Sequence, residues 1–152
     1  MITGTQILNG LNLALATLTK RPVYRDALPE GFERPSCFIE LTERSETRAA
    51  ASLIEVTQKL CVTCIGALDA DGNADTDALE TAADHVRALL DAGFLRVGDR
   101  ALHTEEVTRV RDREDGIRVT AVLHYFDETP GDTGEDPMIT SVTTAVRPEQ
   151  EA

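Results

Sequence analysis

Residues 69–80 read DADGNADTDALE and hold the densest set of potential cation ligands in the chain. With Asp69 as first position, Asp71 falls third, Asn73 fifth, Asp77 ninth and Glu80 twelfth, the carboxylate spacing with which an EF-hand surrounds calcium. Two features oppose that chemistry. The sixth position, where the sharp turn needs glycine, is Ala74, with Gly72 two residues early. The preceding residues 60–68 alternate as a strand, so the entering helix is missing. The same side chains equally make a strand-ending Asp-Gly turn and a helix N-terminus capped from within Asp75 to Asp77. Carboxylates there face the positive end of the helix dipole, each contributing about 0.3 to 1 kcal/mol. A turn and cap is therefore the expected use of the stretch. Asp69, Asp71, Asn73 and Asp75 are the residues that would hold a cation if one bound.

Cys61 and Cys64 have the spacing of half a zinc site or a redox pair. On a strand, side chains three apart point to opposite faces, so these thiols do not converge on one ion. A redox pair also opens a helix whose N-terminus lowers a thiol pKa, and this one lies inside a strand. Reduced, core-facing cysteines are expected, Cys37 included. His85, His103 and His124 are spread over a helix and two strands, and none stands in a nucleophile motif. No phosphate-cradling glycine loop, dinucleotide fingerprint or HExxH is present, so the sequence offers no catalytic residue, no cofactor and no positive sign of an enzyme.

The elements that position these residues follow from hydrophobic periodicity. Residues 5–20 place Leu8, Leu11, Leu15 and Leu18 on a helical stripe, with Thr3 or Thr5 as N-cap and Pro22 beyond the end. Val23 and Tyr24 begin a short strand, and residues 26–35 form a loop punctuated by Pro29, Gly31 and Pro35. From Cys37 the pattern alternates, with Cys37, Ile39 and Leu41 on one face. Residues 45–52, SETRAAAS, predict a mobile connection. Ile54, Val56, Leu60, Val62 and Cys64 then share a strand face that only Gln58 interrupts. Residues 77–92 form a second helix on Leu79, Ala82, Ala83, Val86, Leu89 and Leu90, with Gly93 as C-cap. An extended stretch over 102–111 meets an Asp115-Gly116 turn and a strand over 117–126. The order predicts an α+β domain with a mostly antiparallel sheet of four to five strands and two main helices packed on one face.

Composition narrows the setting. The 152 residues suit one core; 27 acidic against 15 basic side chains give a formal net charge of -12, which opposes direct contact with nucleic acid or an anionic membrane. No apolar run reaches the roughly 20 residues of a membrane span, and the N-terminus lacks a secretory signal's basic start, so a soluble, cytoplasmic chain is expected. After Asp127 the polar ETPGDTGEDP leads into the β-prone MITSVTTAV. Residues 1–127 are thus expected as the domain. Residues 128–152 are expected as a linker and extension, either an exchanged strand or a disordered tail.

Residues 24–41, YRDALPEGFERPSCFIEL, with the leading helix and the closing EDGIRVTAVLHYFDE, resemble the tail terminator (tail completion) family of tailed bacteriophages and related contractile particles. In that family a strand ending in Tyr is followed by a loop, a Pro and a Phe-Ile strand, here Pro35 to Ile39. A late strand ends in a Leu-His-aromatic step, here Leu123-His124-Tyr125. The likeness runs over residues 3–127. It implies a structural virion protein, made in the host cytoplasm, that forms a homo-oligomeric ring, usually a hexamer. Such a ring caps the tail tube, stops its polymerisation and meets the neck or connector, with the sheath as a further neighbour in a contractile tail. On that reading the first helix, the sheet edges, the loops over 26–34 and 43–52 and the segment 138–146 make the contacts. Leu28, Phe32, Arg34, Arg44, Arg48, Met138, Ile139 and Val142 are the interface candidates. The alternatives are another neck or head-completion protein of the same particle, and a calcium-dependent binding module.

Overall fold

The computed structural model describes residues 1–25 and 27–128, which divide into two compact units. The elements are α1 (Gly4–Thr19), β1 (Val23–Arg25), β2 (Ser36–Ala50), β3 (Leu53–Ile65), α2 (Thr76–Leu90), β4 (Phe94–Val97), β5 (Arg100–Arg113) and β6 (Gly116–Glu128). The larger unit, Ile2–Arg44 with Thr57–His124, contains both helices and the body of the sheet.

The sheet has six strands in the order β1-β2-β3-β6-β5-β4. It is mixed: β4 and β6 run antiparallel to β5, whereas β1 runs parallel to β2 with Val23 opposite Cys37. The expected mostly antiparallel sheet of four to five strands is corrected to six strands that include one parallel pair. The loop after β1 carries the chain back to the same end of the sheet, so the two strands meet in parallel. The unforeseen β4 has four residues, too few to build an alternating signal, and buries only Leu95 and Val97.

Thr3 caps α1 through a reciprocal box: its Oγ1 accepts from the Gln6 N–H at 3.2 Å, and the Gln6 side chain accepts from the Thr3 N–H at 2.8 Å. The buried stripe is Ile7, Leu11 and Leu15; Leu8 is half-buried and Leu18 exposed, a shift from the stripe expected on Leu8, Leu11, Leu15 and Leu18. Each fully buried leucine or isoleucine contributes about 1.5 to 3 kcal/mol of transfer free energy. α1 packs on α2 and on both β1 and β4, the two edge strands, so the sheet curls around it. Gly10 permits the contact with β4, because a Cβ there would lie 2.7 Å from the Arg96 carbonyl oxygen.

In α2 the apolar stripe is buried as expected at Leu79, Ala82, Ala83, Val86 and Leu90. The helix ends at Leu90 with Asp91 as C-cap, two residues before the expected cap Gly93, which instead uses a φ of +103° to turn the chain into β4. Gln58, the polar interruption in β3, is 3% exposed; its Nε2 donates to the carbonyls of Thr42, Glu43 and Lys59. The β5–β6 hairpin turns on Glu114 and Asp115, with Gly116 paired to Arg113 as the first residue of β6, one step from the expected Asp115-Gly116 turn.

The smaller unit comprises Met1, Ser45–Val56 and, among the described residues, 125–128. The predicted mobile connection over 45–52 is instead strand as far as Ala50, turning at Ala51 and Ser52. Ladder pairing with β3 orders it, and its polar side chains give no sign of that. The Met1 ammonium lies 3.9 Å from Asp127 Oδ1.

Candidate functional site

The acidic stretch folds as a turn and a cap. Asp69 Oδ1 accepts from the N–H groups of Asp71 and Asn73, both at 2.9 Å, and the Asp69 N–H donates to the Asn73 carbonyl at 2.8 Å. Gly72, at φ +83°, completes the turn. Asp75 Oδ1 accepts from the Ala78 N–H at 3.2 Å and caps α2. Glu80, the would-be twelfth ligand, is turned away to Arg109 and Arg111 of β5, and Asp84 also reaches Arg109. Among the described residues no group of three His, Cys, Asp or Glu side chains is placed to hold a metal ion. A polar groove beside this turn is lined by Leu68, Asn73, Thr76, Arg111, Glu114 and Asp115.

Cys37, Cys61 and Cys64 are free and buried. Cys64 faces Cys37 rather than Cys61, a contact set by the pairing of β2 with β3 and invisible in the Cys61/Cys64 spacing. Its hydrogen bond to Cys37 and its burial both push the Cys64 thiol up, and burial raises Cys61. A thiol held protonated in the core is a poor nucleophile. His85 is exposed on α2, whereas His103 stands directly opposite His124 and, on its other side, opposite Phe94. Sequence spacing gave no hint of this row, because antiparallel register created it.

The interface candidates divide. Arg34 is fastened inside the larger unit: Nη1 donates to the Gly66 carbonyl at 3.2 Å and to Asp115 Oδ2 at 2.8 Å, while its guanidinium stacks 4.9 Å from the Phe32 ring centre. Phe32 meets Tyr24 edge to face, and the Tyr24 hydroxyl accepts from the Glu33 N–H at 3.0 Å. This loop is therefore braced against the sheet, with Leu28 half-buried. Arg44 and Arg48 are exposed on β2, and Arg48 donates to the Ala51 carbonyl at the hairpin turn. Met138, Ile139 and Val142 lie outside the described residues.

Two exposed surfaces lie on the first helix and on residues 42–50, within or beside the elements expected to make contacts. No Asp, Glu, Lys or Arg precedes Lys20, so the solvent face of α1, with Gln6, Asn9, Leu13 and Ala16 at helical spacing, carries no charge; Leu13 is 72% exposed. The second is β2 itself, exposed at every residue from Thr42 to Ala50. Interface cores are depleted of charge, and of the two only the α1 face shows that depletion, since this part of β2 carries Glu43, Arg44, Glu46 and Arg48.

The described residues thus form a small α+β subunit whose thiols are sealed in the core, whose acidic turn is spent on its own backbone and whose outer helix face is uncharged. A family model described as phage tail terminator protein matches residues 6–135, and the chain belongs to that family. The family is one of structural tail proteins and not an enzyme class, so the chain is a tail component of a phage-type virion. Among solved structures, a chain of the virion of the native gene transfer agent (GTA) particle shares the fold. It aligns with a TM-score of 0.52 and 19% identity, over 81% of this chain and 92% of that one. No curated protein matches. Among the described residues no helix is long and apolar enough to cross a membrane.

Proposed function

We propose that the chain is the subunit of a ring, hexameric in the form we favour, that seats on the finished end of the tail tube. There it stops polymerisation and offers its opposite face to the neck or connector. The observation that carries the reading is the family match across residues 6–135. The uncharged solvent face of α1 supports it, since copies of net charge -12 repel one another unless they meet where charge is absent. The excess Asp and Glu have a use on a ring's lumen, where they keep DNA from adhering. Subunits meet head to tail, a heterologous contact that closes by rotation. Residues 138–146, outside the described residues, are proposed as a further strand donated to a neighbour.

Light scattering on the full chain, alone and after addition of tail-tube protein, tests the reading. The expected result is a closed oligomer, near 99 kDa for six copies of the 16.5 kDa chain, in at least one condition. A monomer in both conditions contradicts it. Labelled protein found at the tube end in electron micrographs, and not on the head vertex, separates this role from that of a head-completion protein.

A further inference from the structure

Cys37 on β2 and Cys64 on β3 are the two thiols that the fold brings together. The strands are neighbours in the sheet, both side chains are fully buried, and the Cys64 thiol donates a hydrogen bond to the Cys37 sulfur. β2 turns into β3 at Ala51 and Ser52, so the two strands run antiparallel. The Cys37 N–H donates to the Pro22 carbonyl at 2.9 Å, which points the backbone polar groups of Cys37 toward β1 and away from β3. At such a non-hydrogen-bonded position, side chains facing across antiparallel strands stand closest, with Cα atoms about 4.5 Å apart. Disulfides span Cα separations of about 4.4 to 6.8 Å.

Arg21, between α1 and β1, brings a positive charge to the pair. Its Nη1 is buried and has no hydrogen-bond partner among the described residues. A buried guanidinium donor left unpaired is costly, and a thiolate is an acceptor that would use it. The Arg21 charge acts on both sulfurs. The hydrogen bond from Cys64 and then the Arg21 charge hold the Cys37 thiol below its ordinary value against the opposing effect of burial, whereas that same bond and burial push Cys64 up. The two thiols are therefore unequal: one sulfur is biased toward thiolate and the other is held protonated beside it. Cys61 lies on the opposite face of β3, with its thiol raised by burial, and takes no part.

We propose that Cys37 and Cys64 are a dithiol that closes to an intrachain disulfide on meeting a peroxide, with Cys37 attacking and Cys64 resolving. The Cys37 thiolate sulfur attacks one oxygen of hydrogen peroxide, the O–O bond breaks and hydroxide leaves; sulfur is oxidised to the sulfenic acid and the peroxide is reduced. The Cys64 sulfur then attacks the Cys37 sulfur and the S–O bond breaks, the departing hydroxide taking the Cys64 proton and leaving as water. Arg21 is a positioning residue that favours the thiolate. Entry lies beneath β1, a three-residue edge strand whose Val23 pairs with Cys37 and whose local opening admits a molecule as small as peroxide. A virion protein is made where thiols are kept reduced and is carried to where disulfides persist. On the tail reading, on which this use rests, the bond forms after assembly and fastens β2 to β3 in the released particle.

The purified full chain, reduced and then treated with hydrogen peroxide, tests the chemistry independently of the tail. After denaturation and alkylation, mass spectrometry is expected to show a Cys37–Cys64 linkage and Cys61 as the alkylated thiol. The urea midpoint should rise on oxidation and fall back with reductant, because the bond constrains the unfolded chain. Cys64→Ser should accumulate a Cys37 sulfenic acid that dimedone labels, and Cys37→Ser should label about tenfold less. Arg21→Gln should slow closure about threefold and move its pH profile upward, with Arg21→Lys restoring both. Three free thiols after a peroxide dose that fully oxidises glutathione, or a linkage through Cys61, overturns the proposal; that result is read on the wild type, whether or not the variants fold. Equal dimedone labelling of the two serine variants overturns Cys37 as the attacking sulfur, and an unchanged Arg21→Gln profile overturns the role of Arg21. Alkylation of released particles separates use from chemistry. Free Cys37 and Cys64 there overturn the proposed timing, whereas absence of the chain from the particles removes the tail reading instead.

Discussion

Arg34 shows how one side chain fixes a loop that has little core of its own. It reaches the Gly66 carbonyl and the Asp115 carboxylate at once, so the loop ending at cis Pro35, the end of β3 and the β5–β6 turn are tied at one point. The Arg34 guanidinium, first by its hydrogen bond and also by its charge, holds the Asp115 carboxyl below its ordinary value of 3.8, with Arg113 adding to the effect. A carboxylate lowered in the folded state contributes stability that is fully present above the unfolded value and lost as pH falls through the folded one. The acid limb of stability below about pH 4 is therefore expected to flatten in Asp115→Asn, measured by urea unfolding at a series of pH values. Arg34→Ala is expected to cost about 1 to 2 kcal/mol at neutral pH, the range for a charged hydrogen bond discounted for partial exposure. For a domain of this size that lowers Tm by about 3 to 6 °C. The sequence marked Arg34 as a surface contact and could not show this role, because its partners lie 32 and 81 residues away. The Cys37–Cys64 contact was hidden for the same reason: strand register, not spacing, made it.

At the scale of elements, legibility followed the density of local signals. α2 has an acidic cap, an unbroken apolar stripe and a glycine beyond its end, and it forms within two residues of its expected bounds. α1 was equally visible, but its buried stripe is rotated to Ile7, Leu11 and Leu15 because it packs against both edge strands of a curled sheet, which periodicity alone does not encode. β4 is too short to read, and the distal half of β2 is exposed on both faces and so has no alternation to read. The fit of α1 on β4 depends on Gly10. In an ordinary helix interior Gly→Ala stabilises by about 0.5 to 1 kcal/mol. Gly10→Ala is expected to do the reverse, because the added methyl would lie 2.7 Å from the Arg96 carbonyl oxygen and the two elements must separate. A cost of about 1 to 3 kcal/mol, the usual range for overpacking, should appear in thermal or denaturant melts. An unchanged or raised Tm would show that the helix has room to move.

At the scale of the molecule, the family match over residues 6–135 makes the chain a structural tail protein. The acidic stretch over 69–80 makes a turn and a helix cap, the thiols are core, and the exposed face of α1 carries no charge. Net charge -12 opposes direct contact with DNA, and on the proposed ring reading copies would meet through uncharged faces such as that of α1. The central claim, that this chain ends the tail, is tested most directly by the length of tail tubes. Tube protein polymerised in the presence of increasing amounts of the full chain and measured in electron micrographs should give progressively shorter tubes, each closed by added density at one end. Tubes whose length distribution is unchanged, with no density at either end, would contradict the account.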